Sequence, residues 1–427
     1  MTGTVHVVGA GLAGLAAAVR LAEAGRPVML WEAAKQAGGR CRSYRDAALD
    51  LEIDNGNHLI LSGNRSALDY AELIGGSGAL TIADEAVFDF AEPSAGLRWR
   101  LRPNAGRLPW WLLVRSRRVP GTSVGDYLGP MRLFRAGRND RIEDLMRCDG
   151  LLYDRLWNPL LVAALNTEVP QASARLAGTI LRETLGAGGH AYRPVVATGG
   201  LSAAFVDPAL AFLAARGGTV RLGTRVRALE RGDGRVTALR LGDGDVPLGP
   251  ADSVVLAVPS PVAGDLVPGL SGPTEHRSIV NAHFRLEPPP GLPLLTGLVG
   301  TLSEWLFAYP DRLSVTISAA DRLLDDDRED LARRIWAEVA AVAGLSGPMP
   351  RWQIVKEKRA TFAATPEQDA LRPDARAAGG NVVLAGDWTQ TDLPSTIEGA
   401  IRSGDNAARV LLSGDIGVSR SVSKASL

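Results

Sequence analysis

The chain has 427 residues, which suggests roughly two or three structural units. Lys and Arg together number 47, as do Asp and Glu, so the net charge is zero, which argues against a nucleic-acid-binding protein. The two cysteines, Cys41 and Cys148, form neither a metal-binding cluster nor a disulfide framework, which is typical of a reducing compartment. The apolar start lacks the features of a signal peptide, and no apolar run approaches the ~18 residues of a membrane-spanning helix. We therefore expect a cytoplasmic protein without a metal, either free or bound peripherally at the inner membrane surface.

The first predicted elements form a strand–turn–helix–strand unit. Residues 5–8 (VHVV) predict a short buried strand, and apolar residues then recur at helical spacing until Gly25. Residues 27–31 predict a second strand that ends at Glu32. The turn between the first strand and the helix is GAGLAG, residues 9–14, in the context that makes this glycine motif typical of dinucleotide binding.

Each glycine of this motif has a distinct expected role. Gly9 permits the tight turn, Gly11 lets the backbone approach a pyrophosphate, and Gly14 lets the helix lie close to the strand. The helix N-terminus faces the negative charge, and the acid after the second strand is placed to bind a ribose 2′-hydroxyl. The alternative is an ordinary glycine-rich turn of an α/β protein. The dinucleotide interpretation predicts ligand contacts from Gly9, Gly11, Leu12, Ala13, Gly14, Glu32 and Ala33.

A second glycine pair favours FAD over NAD. Residues 33–40 (AAKQAGGR) place Gly39 and Arg40 soon after the ribose-binding acid, where they supply backbone donors and a cation for a second phosphate region. This arrangement resembles the flavoprotein superfamily of amine oxidases and carotenoid desaturases, in which a GG-R segment lies along FAD. NAD dehydrogenases lack such a segment. The resemblance implies that the cofactor is FAD.

The elements that follow predict two interleaved domains. Residues 50–61 predict a strand pair or a strand with a turn, and residues 142–186 are predicted to be helical. Alternating strands with an Asp-Gly turn follow at 219–241, then a buried strand at 253–258 and a helix around 331–342. The predicted fold is α/β, with a discontinuous Rossmann-like FAD-binding domain and an inserted α+β substrate domain. The FAD-binding domain comprises residues 1–80, 195–262 and 352–412, the substrate domain residues 81–194 and 263–351, and a disordered tail residues 413–427.

The C-terminal segment carries a second ligand-binding pattern. In VVLAGDWTQTDLPSTIEGAIRSG (382–404) a buried strand ends at Gly386 and Asp387, and a loop leads to a helix that begins near Ser395 and Thr396. Bare backbone at Gly386 lets a ligand approach, and Asp387 can accept a hydrogen bond from a sugar-alcohol hydroxyl. The amides at the helix N-terminus can stabilise negative charge at the flavin. The alternative is a further strand–helix connection in which the aspartate only caps.

Several segments spread over residues 5–410 resemble the squalene-associated FAD-dependent desaturases, also called the hydroxysqualene dehydroxylase family. They are DNGNH (54–58), WNPLLVAALNTEVPQASA (157–174), LAVPSPVAGDLVPGL (256–270) and GDWTQTDLPSTIEGAIRSG (386–404). Asp392 and Asn57 depart from the family pattern, in which glycine and glutamine are usual. The resemblance implies further FAD contacts from Asn55, Gly56, Asn57, His58, Val226, Ala257 and Ile397.

The resemblance also implies an activity, the reduction of the allylic alcohol hydroxysqualene to squalene. In that reaction reduced flavin presents a hydride at N5, and loss of the hydroxyl as water leaves an allylic cation that the hydride captures. The substrate has few polar groups, so its binding depends on burial, at about 0.8 kcal/mol per methylene, and requires a long apolar tunnel. The candidates for its walls, whose alternative role is core packing, are the leucine-rich helices at 151–165 and Trp99, Trp110, Trp111 and Trp157.

The leaving hydroxyl needs a proton, and His58 is the first candidate for the donor. It alternates with Asp54 on one predicted strand face, and a histidine with an unperturbed pKa can donate a proton near neutral pH. The alternative is that His58 only hydrogen-bonds the flavin or the backbone. Tyr153, Tyr192 and Glu398 are weaker candidates, and Asp54 is expected to brace the segment.

Residues 98–118 form a segment rich in arginine and tryptophan and devoid of acids. The arginines that flank Trp110 and Trp111 match an interfacial anchor, which predicts peripheral contact with anionic lipid. The alternative is a solvated arginine face over buried tryptophans. The hydrophobic substrate favours the membrane contact.

Three other functions are compatible with the same motifs. A carotenoid or phytoene-type desaturase transfers hydride in the opposite direction, and the flavin-binding residues do not decide the direction. An amine oxidase usually has an aromatic-cage tyrosine where Leu393 stands, and a non-enzymatic prenyl-lipid-binding protein of this fold would lose flavin contacts such as Arg40 and Asp387. Because only one full GxGxxG occurs, the electrons are expected from an external reductase or from transient contact with NADPH.

Overall fold

The computed structural model describes residues 3–414, so the predicted disordered tail lies outside the described residues except for 413 and 414. The strands in chain order are β1 (Val5–Val8), β2 (Val28–Trp31), β3 (Ser43–Asp46), β4 (Leu51–Asp54), β5 (Leu59–Leu61), β6 (Thr81–Ile82), β7 (Phe88–Glu92), β8 (Leu97–Leu101), β9 (Pro194–Val196), β10 (Thr219–Arg221), β11 (Ala228–Gly232), β12 (Arg235–Arg240), β13 (Asp245–Pro247), β14 (Ser253–Leu256), β15 (His276–Arg285), β16 (Leu295–Leu298), β17 (Trp305–Tyr309), β18 (Arg312–Ile317), β19 (Trp352–Phe362) and β20 (Val382–Leu384). The α-helices are α1 (Leu12–Glu23), α2 (Arg65–Ile74), α3 (Ile142–Leu145), α4 (Asn158–Leu165), α5 (Ala174–Glu183), α6 (Leu201–Phe205), α7 (Asp207–Ala215), α8 (Ser260–Leu266), α9 (Arg328–Ala343), α10 (Pro366–Ala370) and α11 (Ile397–Leu412).

A five-stranded parallel sheet forms the centre of the nucleotide-binding part. Its strand order is β10-β2-β1-β14-β20, which collects strands from the beginning, the middle and the end of the chain. Every residue of β1, β14 and β20 is buried, as expected of parallel strands that are covered on both faces. The predicted α/β fold with a discontinuous Rossmann-like unit is confirmed.

Two helices from opposite ends of the chain pack closely beside this sheet. A Cβ at Gly404 of α11 would lie 2.8 Å from the Ala16 Cβ and from the Ala17 nitrogen of α1, so only glycine permits this approach. Next to this contact, Arg20 Nε donates a hydrogen bond to Asp405 Oδ1 at 2.9 Å. The C-terminal helix is therefore fixed against the helix that follows the glycine turn.

A seven-stranded mixed sheet carries the second part of the molecule. Its order is β19-β15-β18-β17-β16-β7-β8, and all its pairs are antiparallel except β16 with β7. Side chains alternate along β17, so Trp305, Phe307 and Tyr309 enter one hydrophobic cluster while Leu306 enters another, which contains residues of α9. This sheet therefore has an aromatic face and a face covered by a helix.

The sheet that strand β19 joins does not agree with the predicted domain boundary at residue 352. The prediction assigned residues 352–412 to the FAD-binding domain, but β19 pairs with β15 in the seven-stranded sheet. The pairing partner lies at residues 276–285, far away in sequence, so no local pattern indicates which sheet the strand joins. The remaining boundaries stay a prediction.

The predicted helical stretch 142–186 is helical but interrupted. A π-helical turn at Tyr153–Trp157 runs directly into α4, which ends at Asn166 with φ 47°. The Asn166 side chain accepts a hydrogen bond from the Ala319 N–H at 2.7 Å and donates one to Thr361 Oγ1 at 2.9 Å. This asparagine therefore ties the helical region to the seven-stranded sheet.

The predicted Asp-Gly turn is confirmed between β11 and β12. Asp233 and Gly234 have φ angles of 54° and 75°, the positive values that a two-residue hairpin turn requires at both positions. The two strands pair antiparallel and, together with β13, form a separate three-stranded sheet.

Candidate functional site

The glycine turn at residues 9–11 has a packed side and an open side. Gly9 has φ 106°, and a Cβ there would collide with the Ala257 carbonyl oxygen. A Cβ on Gly14 would collide with the Gly9 carbonyl oxygen, so both glycines are required by the packing of the turn. A Cβ on Gly11 would meet no atom within 4 Å, so this residue faces space in which a ligand can approach the backbone. This is the geometry that the three expected glycine roles require.

The N-terminus of α1 is open to an anion. No side chain caps it, and its first turn contains no acid. The first N–H groups of a helix lack acceptors within the helix, so the amides of Leu12 and Ala13 fit a diphosphate. The Glu32 carboxylate lies at the same turn and accepts hydrogen bonds from the N–H groups of Ala10 and Ala34, each at 2.7 Å. Its remaining acceptor capacity fits a ribose hydroxyl.

The second glycine pair folds back onto the glycine turn. The Gly38 N–H donates a hydrogen bond to the Ala10 carbonyl at 2.8 Å, and a Cβ on Gly39 would lie 3.2 Å from the Gly11 Cα. Both glycines have positive φ angles, 101° for Gly38 and 57° for Gly39. The pair therefore brings Arg40 beside the open side of the turn.

Arg40 joins the two ends of the chain. Its guanidinium donates hydrogen bonds to Asp387 Oδ2 at 2.7 Å, across 347 residues, and to the carbonyl oxygen of Ala360. The charge of Asp387 raises the pKa of Arg40, although desolvation opposes this shift. The Arg40 side chain is nevertheless 43% exposed, so a ligand can reach it. The N-terminal and C-terminal motifs thus form one site.

The structure gives a packing reason for Gly386. It has φ 149°, and a Cβ there would lie 2.6 Å from Cδ1 of the Trp388 indole. The Trp388 indole N–H donates a hydrogen bond to the Val258 carbonyl at 2.8 Å, which holds the ring in this position. Gly386 therefore makes room for a neighbouring side chain, and its expected contact with a ligand stays a prediction.

A buried arginine that the sequence analysis missed supports the loop around Asp387. The Arg372 side chain is fully buried and pairs with Asp369 at 3.0 Å. It also donates hydrogen bonds to the Asp387 carbonyl oxygen at 3.2 Å and to Thr391 Oγ1 at 2.9 Å. Its loop partners follow it by 15 and 19 residues, so no local spacing identifies Arg372 as a positioning residue.

Ser395 and Thr396 stabilise the start of α11. The Thr396 hydroxyl oxygen accepts a hydrogen bond from the Gly399 N–H at 2.9 Å, and the Ser395 hydroxyl oxygen accepts one from the Phe362 N–H at 3.3 Å. Ile397, the first residue of the helix, is buried. These contacts fix the helix N-terminus, whose remaining amides fit the negative edge of a flavin.

Glu398 is removed from the candidate proton donors. Its carboxylate accepts hydrogen bonds from the N–H groups of Ser66 and Ala67 at 3.2 and 2.9 Å, at the N-terminus of α2. It also pairs with Arg402 at 3.0 Å. Three donors thus hold this side chain as a charged acceptor, and its role is to cap another helix.

The predicted strand face shared by Asp54 and His58 does not exist. β4 ends at Asp54, the chain bends, and β5 belongs to a different sheet. Asp54 accepts hydrogen bonds from Ser43 Oγ at 2.6 Å and from the Leu201 N–H at 2.9 Å, so the expected bracing role is confirmed. The period-two alternation of residues 54–58 arises in a bend and not in a strand.

The residues between Asp54 and His58 connect this bend to the seven-stranded sheet. Asn55 Nδ2 donates a hydrogen bond to Glu357 Oε2 at 3.1 Å, and the Asn57 N–H donates one to Asn281 Oδ1 at 3.3 Å. A Cβ on Gly56 would lie 3.1 Å from the Asn281 amide nitrogen. Asn57 Oδ1 is buried without a hydrogen-bond partner among the described residues, which leaves an acceptor for a ligand.

His58 is uncharged at neutral pH. Burial, and to a smaller extent the charge of Arg40, lower the pKa of His58 to about 4, which contradicts the expected unperturbed value. The imidazole is half-buried, and the charge of Arg40 reaches it. Burial also raises the pKa of Tyr153 and of Tyr192, which makes both phenols weaker acids than an ordinary tyrosine. These pKa shifts make all three side chains weaker candidates for proton donation at neutral pH than their ordinary pKa values would.

A carboxyl group that the sequence analysis missed suits it better. Burial raises the pKa of Glu304 to about 7. Its carboxylate accepts a hydrogen bond from the Ser318 N–H at 2.8 Å, next to the backbone N–H that Asn166 binds. The side chain is half-buried, as is that of His58. No motif marks Glu304 in the sequence, because its pKa depends on the packing around it.

The other expected FAD contacts surround the turn. The Ala257 carbonyl flanks the glycine turn, as described above. Ala33 follows Glu32, whose carbonyl oxygen accepts a hydrogen bond from the Thr224 N–H at 2.7 Å. Val226, two residues after Thr224, is buried. These residues therefore lie on segments that border the predicted site.

The proposed tunnel tryptophans divide into two groups. Trp99, Trp111 and Trp157 are buried, whereas Trp110 is 51% exposed and so departs from the prediction that it lines a tunnel. Trp111 contacts Tyr127 edge to face with ring centres 5.5 Å apart, and Tyr127 contacts Trp157 in the same way at 6.4 Å. The three rings therefore pack in series and join the segments at residues 111, 127 and 157.

Within residues 3–414, no helix has the length and apolar character needed to cross a bilayer. The same residues contain no group of three or more His, Cys, Asp or Glu side chains placed to hold a metal ion.

Comparison with known proteins places the chain among flavoproteins. Residues 12–412 match the family described as flavin containing amine oxidoreductase. Hydroxysqualene dehydroxylase of Rhodopseudomonas palustris is 57% identical over 96% of this chain and 99% of its own length, and that of Sinorhizobium fredii is 52% identical over 97% and 99%. A probable zeta-carotene desaturase of Synechococcus elongatus is 26% identical over 96% of this chain and 98% of its own length. Cyclohexylamine oxidase from Brevibacterium oxydans shares the fold, with a TM-score of 0.69 at 16% identity over 97% of this chain and 99% of that one.

The fold and the site define a flavin-dependent oxidoreductase. The chain belongs to the flavin containing amine oxidoreductase family and, within the amine oxidase and phytoene desaturase superfamily, to the hydroxysqualene dehydroxylases. The resemblance noted in the sequence motifs is confirmed.

Proposed function

We propose that this protein binds FAD and reduces hydroxysqualene to squalene, with loss of the allylic hydroxyl, in hopanoid or triterpene biosynthesis. The observation that carries the proposal is the likeness over nearly the whole chain to two proteins named hydroxysqualene dehydroxylase, at 57% and 52% identity. The likeness to the desaturase, at 26% identity, is much weaker.

The residues of the site fit FAD in two groups. The open face of Gly11 and the amides of α1 suit the diphosphate, and Glu32 suits the adenosine ribose. The remaining carboxylate oxygen of Asp387 suits a hydroxyl of the ribityl chain, and the N-terminus of α11 suits the flavin edge. Arg40 holds both groups together and contributes the positive charge beside them.

FAD bound in its reduced form would supply the hydride, and the protein must supply the proton and exclude water. We assign the proton to Glu304 and not to His58, because a carboxyl with a pKa of about 7 is partly protonated at neutral pH. His58, with its pKa near 4, acts as a neutral hydrogen-bonding group at the wall of the site. The aromatic face of the seven-stranded sheet provides the apolar surface that a hydrocarbon requires.

The reductant is supplied from outside this chain. Within residues 3–414, one parallel sheet with one glycine turn is present, and our proposal assigns it to FAD. An external reductase or transiently bound NADPH therefore delivers the electrons. We place the enzyme in the cytoplasm, in peripheral contact with the inner membrane surface through residues 98–118.

The proposed reaction is tested by anaerobic incubation of the photoreduced protein with hydroxysqualene, followed by product analysis. We expect the flavin to reoxidise and squalene to form in equal amount. A parallel incubation of the oxidised protein with phytoene tests the desaturase alternative. Flavin reduction by phytoene without any reaction of hydroxysqualene would overturn the proposal. A purified protein that binds isoprenoid but never FAD would instead support the non-enzymatic alternative.

A further inference from the structure

The exposed large hydrophobic side chains of this molecule are concentrated in one region. Of the thirteen among the described residues, eight lie between residues 108 and 151. The most exposed are Leu108 at 81% and Leu113 at 75%. The eight, which we call the apolar surface, are Leu108, Trp110, Leu113, Val114, Val124, Leu128, Met131 and Leu151.

These side chains come from separate segments that contact one another. Trp111, between the exposed Trp110 and Leu113, packs edge to face on Tyr127. The Val119 N–H donates a hydrogen bond to Tyr127 Oη at 2.9 Å. Leu151 joins them from a third segment, because a Cβ on Gly121 would lie 2.8 Å from its Cδ2. Only the first of these segments, residues 98–118, was predicted from the sequence to contact lipid.

Buried anchors hold the apolar surface in place. Trp111 and Tyr127 are buried, as are Pro130 and Leu133 next to the exposed Met131. Short 3₁₀ turns, Trp110–Leu113 and Gly125–Arg135, present the exposed residues between these anchors. Because their neighbours are packed into the core, the exposed apolar side chains are a fixed feature of the surface.

A strongly basic rim accompanies the apolar surface. Residues 98–135 contain nine arginines and a single acid, Asp126. Arg107, Arg115, Arg132 and Arg135 are exposed, and none of them has an ion-pair partner among the described residues. The guanidinium of Arg117 lies 4.8 Å from the centre of the exposed Trp110 ring. In a protein of zero net charge, this excess of positive charge is local.

We propose that the apolar surface and its arginine rim dock on an anionic lipid bilayer. Apolar side chains enter the interfacial region of a bilayer, while arginines contact the phosphate and carboxylate head groups. The charge pattern favours a lipid surface over a second copy of this chain. If two copies paired through their apolar surfaces, the unpaired arginines of one copy would lie against those of the other. The buried Trp111 beneath this surface packs on Tyr127, which in turn packs on Trp157, so the surface is anchored to the core. The docking surface thus holds the protein at the membrane in which an isoprenoid substrate dissolves, a purpose that rests on the proposed function.

The test compares the FAD-loaded protein and its variants on vesicles of phosphatidylcholine with and without phosphatidylglycerol. We expect binding to the anionic vesicles that weakens with salt. The apolar variant L113Q/M131Q and the charge variant R115Q/R132Q should each lose about tenfold in binding, which corresponds to about 1.4 kcal/mol. The matched control Leu222→Gln, at a 39% exposed leucine outside the apolar surface, binds as the unchanged protein does.

Two further measurements keep this proposal separate from the reaction. Turnover of hydroxysqualene in detergent micelles should be the same in all variants, which shows that the FAD site is intact. Loss of turnover on vesicles alone then supports the docking surface. Equal binding to neutral and anionic vesicles, or unchanged binding of both double variants, would overturn the proposal. So would dimers of the unchanged protein in solution that L113Q/M131Q converts to monomers, because the surface would then be occupied by a second copy.

Discussion

The glycine turn and the segment 98–165, which we propose to bind FAD and the hydrocarbon respectively, use different kinds of residue. At the turn, glycine is required at positions 9 and 14 because a Cβ there would collide with the backbone, and Gly11 is left open to a ligand. In the segment 98–165, Trp99, Trp111 and Trp157 are buried by ordinary packing, and no single contact distinguishes a substrate wall from a core. A cofactor with charges and hydroxyls requires particular backbone geometry, whereas a hydrocarbon requires only apolar area. Single substitutions should therefore have large effects at the first region and smaller ones at the second.

The largest expected effect is that of Gly11→Val. A Cβ at this position meets no protein atom within 4 Å, so the fold should keep its thermal stability, while the side chain fills the space proposed for the diphosphate. We expect FAD affinity to fall by about 100-fold or more, which corresponds to about 2.7 kcal/mol. Flavin absorbance and thermal unfolding of the purified variant measure both quantities. Gly78→Ala, where a Cβ also meets nothing, is the control and should keep FAD. Tight FAD binding by Gly11→Val would show that the open face is not the ligand side.

Glu304→Gln should lower the rate of hydride transfer by about 100-fold, within the range of general acid catalysis. In the unchanged protein the rate should fall as pH rises through about 7, because Glu304 loses its proton there. The glutamine side chain of the variant does not titrate, so its slower rate should stay constant over the same pH range. Stopped-flow reoxidation of the reduced flavin between pH 5.5 and 8.5 measures both profiles.

His58→Asn is the matched comparison for that experiment. Because the pKa of His58 is about 4, the imidazole is neutral throughout this pH range. The variant should keep the fall in rate near pH 7 and lose only a few-fold in rate. If the fall disappears in His58→Asn and persists in Glu304→Gln, the two roles are reversed.

Arg40→Ala tests whether the two ends of the chain act together. The ion pair with Asp387 is 2.7 Å long, but the arginine is 43% exposed, so solvent screening limits its contribution to about 1 kcal/mol. We expect Arg40→Ala and Asp387→Asn each to weaken FAD binding about tenfold. Because the two side chains act through one ion pair, the double variant should weaken it by only about 20-fold, whereas independent effects would multiply to about 100-fold. Isothermal titration with FAD gives the coupling. Strict additivity would show that the two motifs bind independently.

The smallest effect is expected for Glu398→Gln. Its carboxylate caps α2, so the free energy of unfolding should fall by about 1 kcal/mol, a typical cost of losing a helix cap. Urea unfolding measures this change. The pH profile of hydride transfer should be identical to that of the unchanged protein, and any change in it would return Glu398 to the proton donors.

The cofactor side of the molecule could be predicted from the sequence because its signals are local. Gly9, Gly11, Gly14 and the Asp233–Gly234 hairpin turn each depend on the conformation of one or two residues. The same holds for the strands and helices of the Rossmann-like unit, whose periodicity is read over short windows.

The groups that sequence analysis missed depend on long-range packing. Arg372 acts on a loop 15 to 19 residues away, and the pKa of Glu304 is set by burial beneath distant elements. Two premises of the His58 prediction were wrong for the same reason, since alternation suggested a strand where the chain bends, and burial lowers the pKa of the imidazole. The sheet to which β19 belongs was not predicted because its partner strand, β15, lies far upstream in the sequence.

The central claim is that residues from both ends of the chain form one FAD site, and titration of the apoprotein with FAD tests it most directly. With flavin removed and then returned, we predict one FAD per chain, a restored yellow colour, and stronger binding than in Arg40→Ala or Asp387→Asn. A colourless protein that takes up no FAD under any condition would contradict the shared site, and with it the assignment of redox chemistry.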